Sequence, residues 1–369
     1  MDNGERMKQF DLVVSDLKLV LKENVLAVIS DAPLNTVSSA FHNGGGLKKT
    51  NVILNVEVPK SYGDRNLHDD PDAFITNSAK TFGIKGAFIG MVTAAAVTNF
   101  AIVSRKKGDL GVSVVATAAD NEGHTCNHAE SAGEKIDVEE DAAGTINIIV
   151  VVDGNPTESC LVSLLITATE AKMAAIKELD IRSRYSGDEA TGTITDAMVV
   201  AETEHGPPII YGGPASPLGQ LVGYCTRKAV KEAVMKAKEC APCRSLFDRL
   251  RERHLSIAKI ASELSKAKIL DVDKEPLETS LTSLLKDDPF YASIIIAAIK
   301  LDEDLEKGLV PPELGDSSVV SKRFGAVLLK QQTPSNVDAS SSYGDVDLPP
   351  FLKQALISII KSNFLEKTN

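Results

Sequence analysis

The sequence predicts an α/β (α+β) protein, a layered sandwich of mixed sheets flanked by long helices, with a helical C-terminal extension. Residues 144–153, GTINIIVVVD, form an apolar run that is typical of a strand buried on both faces. The stretches 157–179 and 218–238 have the apolar spacing of long amphipathic helices. Beyond Cys243 the sequence becomes charged and favours helices over 244–270 and 277–309, and 351–365 has the pattern of a last amphipathic helix. These observations together indicate sheets covered by helices, followed by a separate helical part.

Alternating apolar residues predict strands in the first part of the chain. The interval 11–29 has the pattern of short strands, and 51–58 that of a strand with one polar-leaning face. A helix is predicted over 72–81. The segments 101–104 and 111–118 flank a short polar turn and predict a hairpin.

The length of the chain indicates two units. A domain usually has about 100–200 residues, and this chain has 369. We expect one α/β unit over 1–243 and a helical unit over 244–369, with a linker near 333–350 that is rich in Ser, Pro and Asp. The net charge of −11 argues against a nucleic-acid-binding protein, because phosphate contacts require clustered Lys and Arg.

Cysteine usage and apolar runs indicate a cytoplasmic protein. Five cysteines in so long a chain do not suggest a disulfide framework, and the charged N-terminus does not have the pattern of a signal peptide. The most apolar run, 292–299, is much shorter than the roughly 20 residues of a membrane helix. We expect no membrane insertion, and a homo-oligomer is left open.

The segment 166–201 joins a helix, a polar bend and a strand in one continuous unit. Loops held by rigid flanking elements are where catalytic groups concentrate. If the strands at 144–152 and 197–201 share a sheet, their crossover is right-handed. Glu170 and Lys172 lie on opposite faces of the predicted helix, and the bend and strand start bring further candidate groups, namely Ser186, Thr193 and Asp196.

Two histidines four residues apart, His124 and His128, raise the question of a metal site. Gly123 and the surrounding polar sequence argue against a regular helix there, so a solvated loop is favoured. Cys240 and Cys243 form a lone CxxC without a partner pair. We therefore predict no metal ligands and no required cofactor. The nucleophile elbow, the Walker loop, the HExxH motif and the GxGxxG motif are absent from the sequence.

Several blocks resemble, in the same order, the adenosylcobinamide amidohydrolase family of archaea and some bacteria. They are NGG at 43–45, NVILNVEVPKSYG at 51–63, NHAESAGE at 127–134, the long block GTIN to DAMVVA at 144–201, and SPLGQLVGYCTRKAVKEAV at 216–234. The resemblance covers roughly residues 25–238. It departs from the family at 119–126, which is longer and more acidic than expected, and in the tail after Cys243.

The resemblance implies hydrolysis of the amide that joins the aminopropanol arm to the corrin of adenosylcobinamide, giving adenosylcobyric acid for corrinoid salvage. The cobalt corrinoid is then a small-molecule substrate and not a cofactor. A non-catalytic corrinoid-binding or regulatory protein on the same fold is the alternative. The order of strands and helices is also similar, by analogy only, to the aminopeptidase and ornithine acetyltransferase architecture.

Amide hydrolysis requires a nucleophile, a proton donor for the departing amine and stabilisation of the oxyanion. If water attacks, the candidate base is Glu170 or Asp196. If a side chain attacks, the candidate is Ser186 or Thr193, with His42 or His128 as the proton carrier.

Amide groups near the glycine triplet suit a substrate that is itself ringed with amides. The candidate substrate-binding groups are Asn43, Gly44, Gly45, Asn127, His128 and Lys172. A bulky corrin also requires a wide, partly apolar cleft, which the small-residue segments 86–96 and 212–219 are expected to line. The polar bend before the strand at 197–201 is expected to form part of that cleft.

Overall fold

The computed structural model describes residues 7–58, 70–119, 144–183, 185–193, 195–237, 244–267, 272–309, 317–332 and 346–365. The chain divides into two compact units, residues 1–243 and residues 244–369. Each unit is described by itself.

The first unit contains eleven described strands and three described α-helices. The strands are β1 (Lys8–Asp11), β2 (Leu17–Lys22), β3 (Val25–Ser38), β4 (Gly45–Glu57), β5 (Ile89–Thr93), β6 (Ala101–Lys107), β7 (Leu110–Ala119), β8 (Thr145–Asp153), β9 (Asn155–Pro156), β10 (Ala197–Glu202) and β11 (Pro208–Ile209). The helices are α1 (Pro71–Phe82), α2 (Glu158–Glu178) and α3 (Pro217–Lys236), and a short 3₁₀ turn spans Val97–Asn99.

The long strand β3 organises the sheet, because it changes neighbours along its length. Its first half pairs with β2 and its last residues pair with β10, while β4 runs along its other edge. The register shifts between Ile29 and Leu34, which lets the strand bend at the change of neighbours. The sheet thereby folds into two layers, β1-β2-β3-β4-β5 and β10-β8-β7-β6. Pairings β4–β5 and β8–β10 are parallel and the others in this sheet are antiparallel, so the sheet is mixed.

Alternate residues of each strand face different layers of the core. In β8, Ile148 and Val150 pack against α2 and α3, whereas Ile149 packs against the layer β1-β2-β3-β4-β5. In β4, Ile53 faces the second sheet and Leu54 faces α1. The order of layers is therefore helices, sheet, sheet, helix, which confirms the predicted sandwich.

The helix α2 begins where the sequence predicts. Its N-cap Thr157 accepts a hydrogen bond from the Cys160 amide at 3.4 Å, and Glu158 lies in the first turn. By length and composition alone α2 is apolar enough to cross a membrane, but half of that apolar window is buried inside the protein. The core helix of a globular domain has the same properties.

The second unit is helical in its described parts. Its helices are α4 (Leu246–Glu252), α5 (Ile257–Lys266), α6 (Lys274–Asp287), α7 (Pro289–Glu306), α8 (Ser317–Gln332) and α9 (Pro350–Leu365). Their buried core is aliphatic, with Leu264, Leu281, Ile295 and Leu352 almost fully enclosed. The sequence had not predicted α8.

Three further expectations differ from the structure in their boundaries or orientation. The strand β3 extends to Ser38 and not only to residue 29, and β4 begins at Gly45 and not at residue 51. The polar-leaning face of 51–58 does not face solvent: Ile53 and Asn55 on that face are fully buried between the sheets. Alternation alone cannot separate a solvated face from one that carries a buried polar network.

In the second unit, Asp302 of α7 accepts hydrogen bonds from the amides of Phe351 and Leu352, both at 2.8 Å, at the start of α9. Burial raises the pKa of Asp302 from 3.8 to about 6. Because the folded form binds this proton more tightly, the associated stability is complete below the unfolded pKa and is lost as the pH rises through about 6. We expect the protection of the Phe351 and Leu352 amides to fall by on the order of 2 kcal/mol from about pH 4 to about pH 7.

Amide hydrogen exchange followed by mass spectrometry, corrected for intrinsic exchange rates, measures this change. Asp302→Asn is expected to remove most of the pH dependence. Asp304→Asn is the matched control, because Asp304 lies on the same helix but pairs with Lys300 at the surface. Equal pH slopes in wild type and Asp302→Asn would contradict the assignment.

Candidate active site

A group of polar side chains lies where β8 and β10 begin, and we refer to it as the polar cluster. It consists of Thr145, Asn147, Lys172, Thr193, Thr195 and Asp196. The parallel pairing of β8 with β10 places Ala197 opposite Asn147. The bend before β10 is thereby held against the first residues of β8.

The carboxylate of Asp196 is the centre of the cluster. Its Oδ1 accepts hydrogen bonds from the Ile146 amide at 2.8 Å and from the Thr193 hydroxyl at 2.5 Å. Its Oδ2 accepts from Lys172 Nζ at 2.6 Å and from the Thr193 amide at 3.2 Å. A carboxylate offers about four lone-pair sites, so all of them have partners here. Asp196 thus joins α2, β8 and the bend.

The ion pair between Lys172 and Asp196 is largely shielded from water, with side-chain exposures of 11% and 16%. Gly192 makes the pair possible, because a Cβ at that position would lie 2.5 Å from Asp196 Oδ2 and 2.8 Å from Lys172 Nζ. A larger residue would require the two charged side chains to shift.

Two threonine hydroxyls form a second contact at the same place. Thr195 Oγ1 lies 2.6 Å from Thr145 Oγ1 and donates to the carbonyl oxygen of Gly144 at 3.0 Å. Since a hydroxyl has one proton, Thr145 must donate to Thr195. The amide of Ala94, after β5, approaches Thr145 Oγ1 at 3.5 Å.

A buried amide network supports the cluster from beneath. Asn147 Nδ2 donates to Asn55 Oδ1 at 2.8 Å and to the Val92 carbonyl at 2.7 Å, and Asn147 Oδ1 accepts from the Ala197 amide at 3.0 Å. Asn55 Nδ2 in turn donates to Thr117 Oγ1 at 2.9 Å. Because the side-chain amide atoms of both asparagines have partners, this network fixes the two sheets relative to each other.

The structure brings some of the predicted catalytic and substrate-binding residues together and separates others. Lys172, Thr193 and Asp196 meet in the cluster. Glu170 lies on the exposed face of α2, two residues from the buried Lys172 and hence on the other side of the helix. Ser186 accepts a hydrogen bond from the Asp188 amide at 3.0 Å, which stabilises the turn.

His42 belongs to a separate group on the loop between β3 and β4. Its Nδ1 lies 2.6 Å from Asp72 Oδ1, in the first turn of α1. Asn43 Nδ2 lies 3.1 Å from His42 Nε2 and donates to the Phe88 carbonyl at 2.9 Å. The backbones of His42 and Gly90 exchange hydrogen bonds of 3.1 Å, which fixes this loop at the start of β5.

The glycine triplet has a structural role in the same loop. A Cβ at Gly44 would lie 2.0 Å from the carbonyl oxygen of Ala40, and Gly45 has a φ of 101°. The loop conformation therefore requires glycine at both positions. The predicted substrate-binding residues Asn127 and His128 lie outside the described residues.

Another polar group lies at the far ends of β8 and β10. His205 Nδ1 is 2.8 Å from Asp153 Oδ1, and burial raises the pKa of Glu202, which accepts a hydrogen bond from Asn35. Among the residues that the structure describes, no three His, Cys, Asp or Glu side chains are arranged to hold a metal ion.

A cavity of about 260 Å³ lies between the β2–β3 turn and α1, lined by residues that include Lys22, Asn24, Phe74 and Phe82. None of its lining residues belongs to the polar cluster or to the segments 86–96 and 212–219 that were expected to line a cleft. The bend itself is not sealed, because Thr193, Thr195 and Asp196 are each partly exposed.

Sequence reasoning missed Thr145, Asn147 and Asp72. A signal was present for Asn147, because a lone amide in the apolar run 144–153 must find hydrogen-bond partners when it is buried. Thr145 has no comparable signal, since a threonine at the start of a strand is common. Asp72 meets His42 only through the tertiary packing of α1.

The fold and the cluster define an α/β sandwich protein in which hydroxyl, carboxylate and ammonium groups meet where β8 and β10 begin. A model of the adenosylcobinamide amidohydrolase family matches residues 12–242, more than half of the chain. The chain therefore belongs to this family, which is a family of amidohydrolases. The resemblance of the sequence blocks is confirmed by this match.

Two relatives show how far the similarity extends. The chain is 28% identical over 220 residues to an adenosylcobinamide amidohydrolase of Methanosarcina mazei, covering 57% of this chain and 94% of the relative. It is 26% identical over 205 residues to an uncharacterized protein of Methanocaldococcus jannaschii, covering 52% and 79%.

Solved structures show weaker likeness. A Burkholderia sp. beta-aminopeptidase aligns with a TM-score of 0.34 and 12% identity over 63% of this chain and 87% of that one. The l-aminopeptidase d-ala-esterase/amidase from Ochrobactrum anthropi aligns with a TM-score of 0.27 and 12% identity over 67% and 92%. Likenesses at this level do not bear on the chemistry of the site.

We expect Gly192→Ala to disrupt the Lys172–Asp196 pair, because the added methyl group would overlap both charged atoms. The free energy of unfolding should fall by about 1–3 kcal/mol, as measured by chemical denaturation. Gly213→Ala is the matched control, since a Cβ there meets nothing within 4 Å. Equal stability of the two variants would show that the bend yields without disturbing the pair.

Proposed function

We propose that this chain hydrolyses the amide that joins the aminopropanol arm to the corrin of adenosylcobinamide, releasing aminopropanol and adenosylcobyric acid. The family match over residues 12–242 is the observation that carries the proposal. The Methanosarcina mazei relative has the name of this activity and aligns over 94% of its own length. We further propose that the reaction takes place in the cytoplasm on scavenged corrinoids.

Thr193 is the proposed nucleophile. A hydroxyl nucleophile requires a base within hydrogen-bond reach and a third group that orients the base. Thr193 Oγ1 lies 2.5 Å from Asp196 Oδ1, and Lys172 Nζ lies 2.6 Å from Asp196 Oδ2. Thr193 is also partly exposed, so that a substrate carbonyl can reach it.

The proposed reaction proceeds in two acyl-transfer steps. Thr193 Oγ1 bonds to the substrate carbonyl carbon while its proton passes to Asp196. The C–N bond then breaks as Asp196 passes this proton to the departing amine. Water then hydrolyses the acyl-threonine ester and regenerates the hydroxyl. The Lys172 ammonium orients Asp196 and supplies positive potential beside the developing oxyanion.

Attack by Thr145 is the second candidate route at the same cluster. Its hydroxyl donates to Thr195, and the proton path leads on towards the Gly144 carbonyl. The Thr145 residue is only 2% exposed, and no carboxylate or imidazole is hydrogen-bonded to its hydroxyl among the described residues. We therefore favour Thr193.

Incubation of the purified chain with adenosylcobinamide tests the proposed function. We expect release of aminopropanol and formation of adenosylcobyric acid in equal amounts, both measured by liquid chromatography with mass spectrometry. Tight binding of the corrinoid without either product would instead support the alternative, a corrinoid-binding or regulatory protein on this fold.

Substitutions in the bend test the nucleophile. We expect Thr193→Val to lower kcat by at least about 100-fold, because the isosteric side chain has no hydroxyl. Thr193→Ser should stay within about tenfold of wild type, because it restores the attacking oxygen. Ser186→Ala is the matched control for loss of a hydroxyl from the same bend. Intact mass after rapid quenching should show the acyl-enzyme in wild type and not in Thr193→Val.

Other outcomes of the same series identify the other routes. Loss of activity in Thr145→Val with wild-type turnover in Thr193→Val would move the attack to Thr145. Wild-type turnover in both Thr145→Val and Thr193→Val, together with loss of activity in Asp196→Asn, would support attack by water. Glu170→Gln is the matched carboxylate control in that case, because Glu170 is exposed on the outer face of α2.

A further inference from the structure

The ring of His42 is held on three sides by elements that meet only in the folded chain. Its Nδ1 contacts Asp72 Oδ1 at 2.6 Å, and its face stacks on Phe88 with a centroid distance of 4.2 Å and an interplanar angle of 19°. Gly90 allows this packing, since a Cβ there would lie 3.2 Å from His42 Cβ and 2.3 Å from Ile75 Cγ2. The side chain remains 17% exposed.

The neighbours of His42 identify its tautomer. Asn43 Nδ2 donates to the Phe88 carbonyl at 2.9 Å, which establishes that this atom is the amide nitrogen. The same nitrogen lies 3.1 Å from His42 Nε2, so Nε2 accepts the hydrogen bond and carries no proton. The ring proton is therefore on Nδ1 and is donated to Asp72. Asp72 lies in the first turn of α1, where the helix dipole favours a carboxylate anion.

This arrangement is typical of a metal-ligating histidine. Such histidines almost always donate the second ring N–H to a carboxylate or carbonyl, which orients the ring and raises the basicity of the other nitrogen. Imidazole nitrogen is a common ligand of transition metals. Two large apolar side chains close to His42 in the sequence are also exposed, Phe41 by 48% and Leu47 by 42%. A flat macrocycle with amide side chains at its rim and a central transition metal fits such a histidine beside the Asn43 amide.

We propose that His42 Nε2 coordinates the cobalt of the bound corrinoid on its lower face, which cobinamide leaves without a nucleotide base. This inference rests on the proposed function, because it takes the same substrate. In the step, a water molecule leaves the cobalt and the Nε2 lone pair forms the new bond. The Asn43 N–H turns away from Nε2, the Nδ1 proton stays hydrogen-bonded to Asp72, and no electron is transferred.

The pairing of His42 with β5 places it at a distance from the polar cluster that fits the proposed chemistry. His42 is paired with Gly90, and the Ala94 amide just after β5 approaches the hydroxyl of Thr145 in the polar cluster. Gly90 and Thr93 are three residues apart on the strand, which corresponds to about 10 Å. The scissile amide hangs from the edge of the corrin, so cobalt held at His42 leaves the arm free to extend towards the cluster.

Electron paramagnetic resonance of cob(II)inamide bound to the full chain tests the proposal. One axial nitrogen should split each cobalt line into three, and protein labelled with ¹⁵N-histidine should give two. His42→Ala and His42→Gln should abolish the splitting. Asp72→Asn should weaken cobinamide binding by roughly 10- to 100-fold. His205→Ala is the matched control, because His205 also pairs with an aspartate, Asp153, at 2.8 Å.

The outcomes separate this proposal from the proposed function. Equilibrium dialysis shows whether cobinamide binds, and circular dichroism shows whether each variant is folded. Ligation by His42 is overturned if cobinamide binds without nitrogen splitting. It is also overturned if the splitting persists in both folded His42 variants. In either case, release of aminopropanol would still support the proposed hydrolase activity. Splitting that depends on His42 without aminopropanol release supports the ligation and counts against the hydrolase. Absence of any binding overturns the ligation as well.

Discussion

The carboxylate of Asp196 is the constraint on which the candidate site depends. It accepts hydrogen bonds from α2, from the start of β8 and from the bend that leads into β10. Removing two charges from water is unfavourable unless their remaining hydrogen-bonding sites also have partners. The two backbone amides and the Thr193 hydroxyl meet that requirement for Asp196. These contacts hold the bend against α2 and β8, and Gly192 leaves space for the two charged side chains beside the backbone.

Strands and helices could be predicted from the sequence wherever local pattern and tertiary environment agree. The apolar run of β8, the cap at Thr157 and the hairpin of β6 and β7 all have signals within a few residues. The inward side of α2 could not be predicted, because the helix has apolar residues all around, including the exposed Val162 and Ile166. Whether Glu170 or Lys172 is the buried group depends on how α2 is rotated about its own axis. Only packing against the sheet determines it.

The buried face of β4 illustrates the same limit for a strand. The polar side chain of Asn55 suggests a face exposed to solvent. Asn55 nevertheless lies between the two layers of the sheet, where its amide group is hydrogen-bonded to Asn147 and Thr117. A buried amide is stable there only because its partners come from β7 and β8, more than sixty residues away along the chain. The pairing of His42 with Asp72 also depends on tertiary packing. Residue types at the site were thus partly predictable, whereas their partners were not.

In the proposed reaction, the polar cluster and the group around His42 have different tasks, attack on the amide and binding of the corrin. All the acceptor sites of the Asp196 carboxylate have hydrogen-bond partners, so it is well suited to hold Thr193 in one orientation. It has no lone pair left to bind a corrin side chain. In the proposed reaction affinity must therefore come from elsewhere, and the unprotonated Nε2 of His42 is the proposed separate anchor. Binding energy gained at a distance from the reacting bond can orient that bond for attack. The strand β5 is the rigid element that connects the two groups.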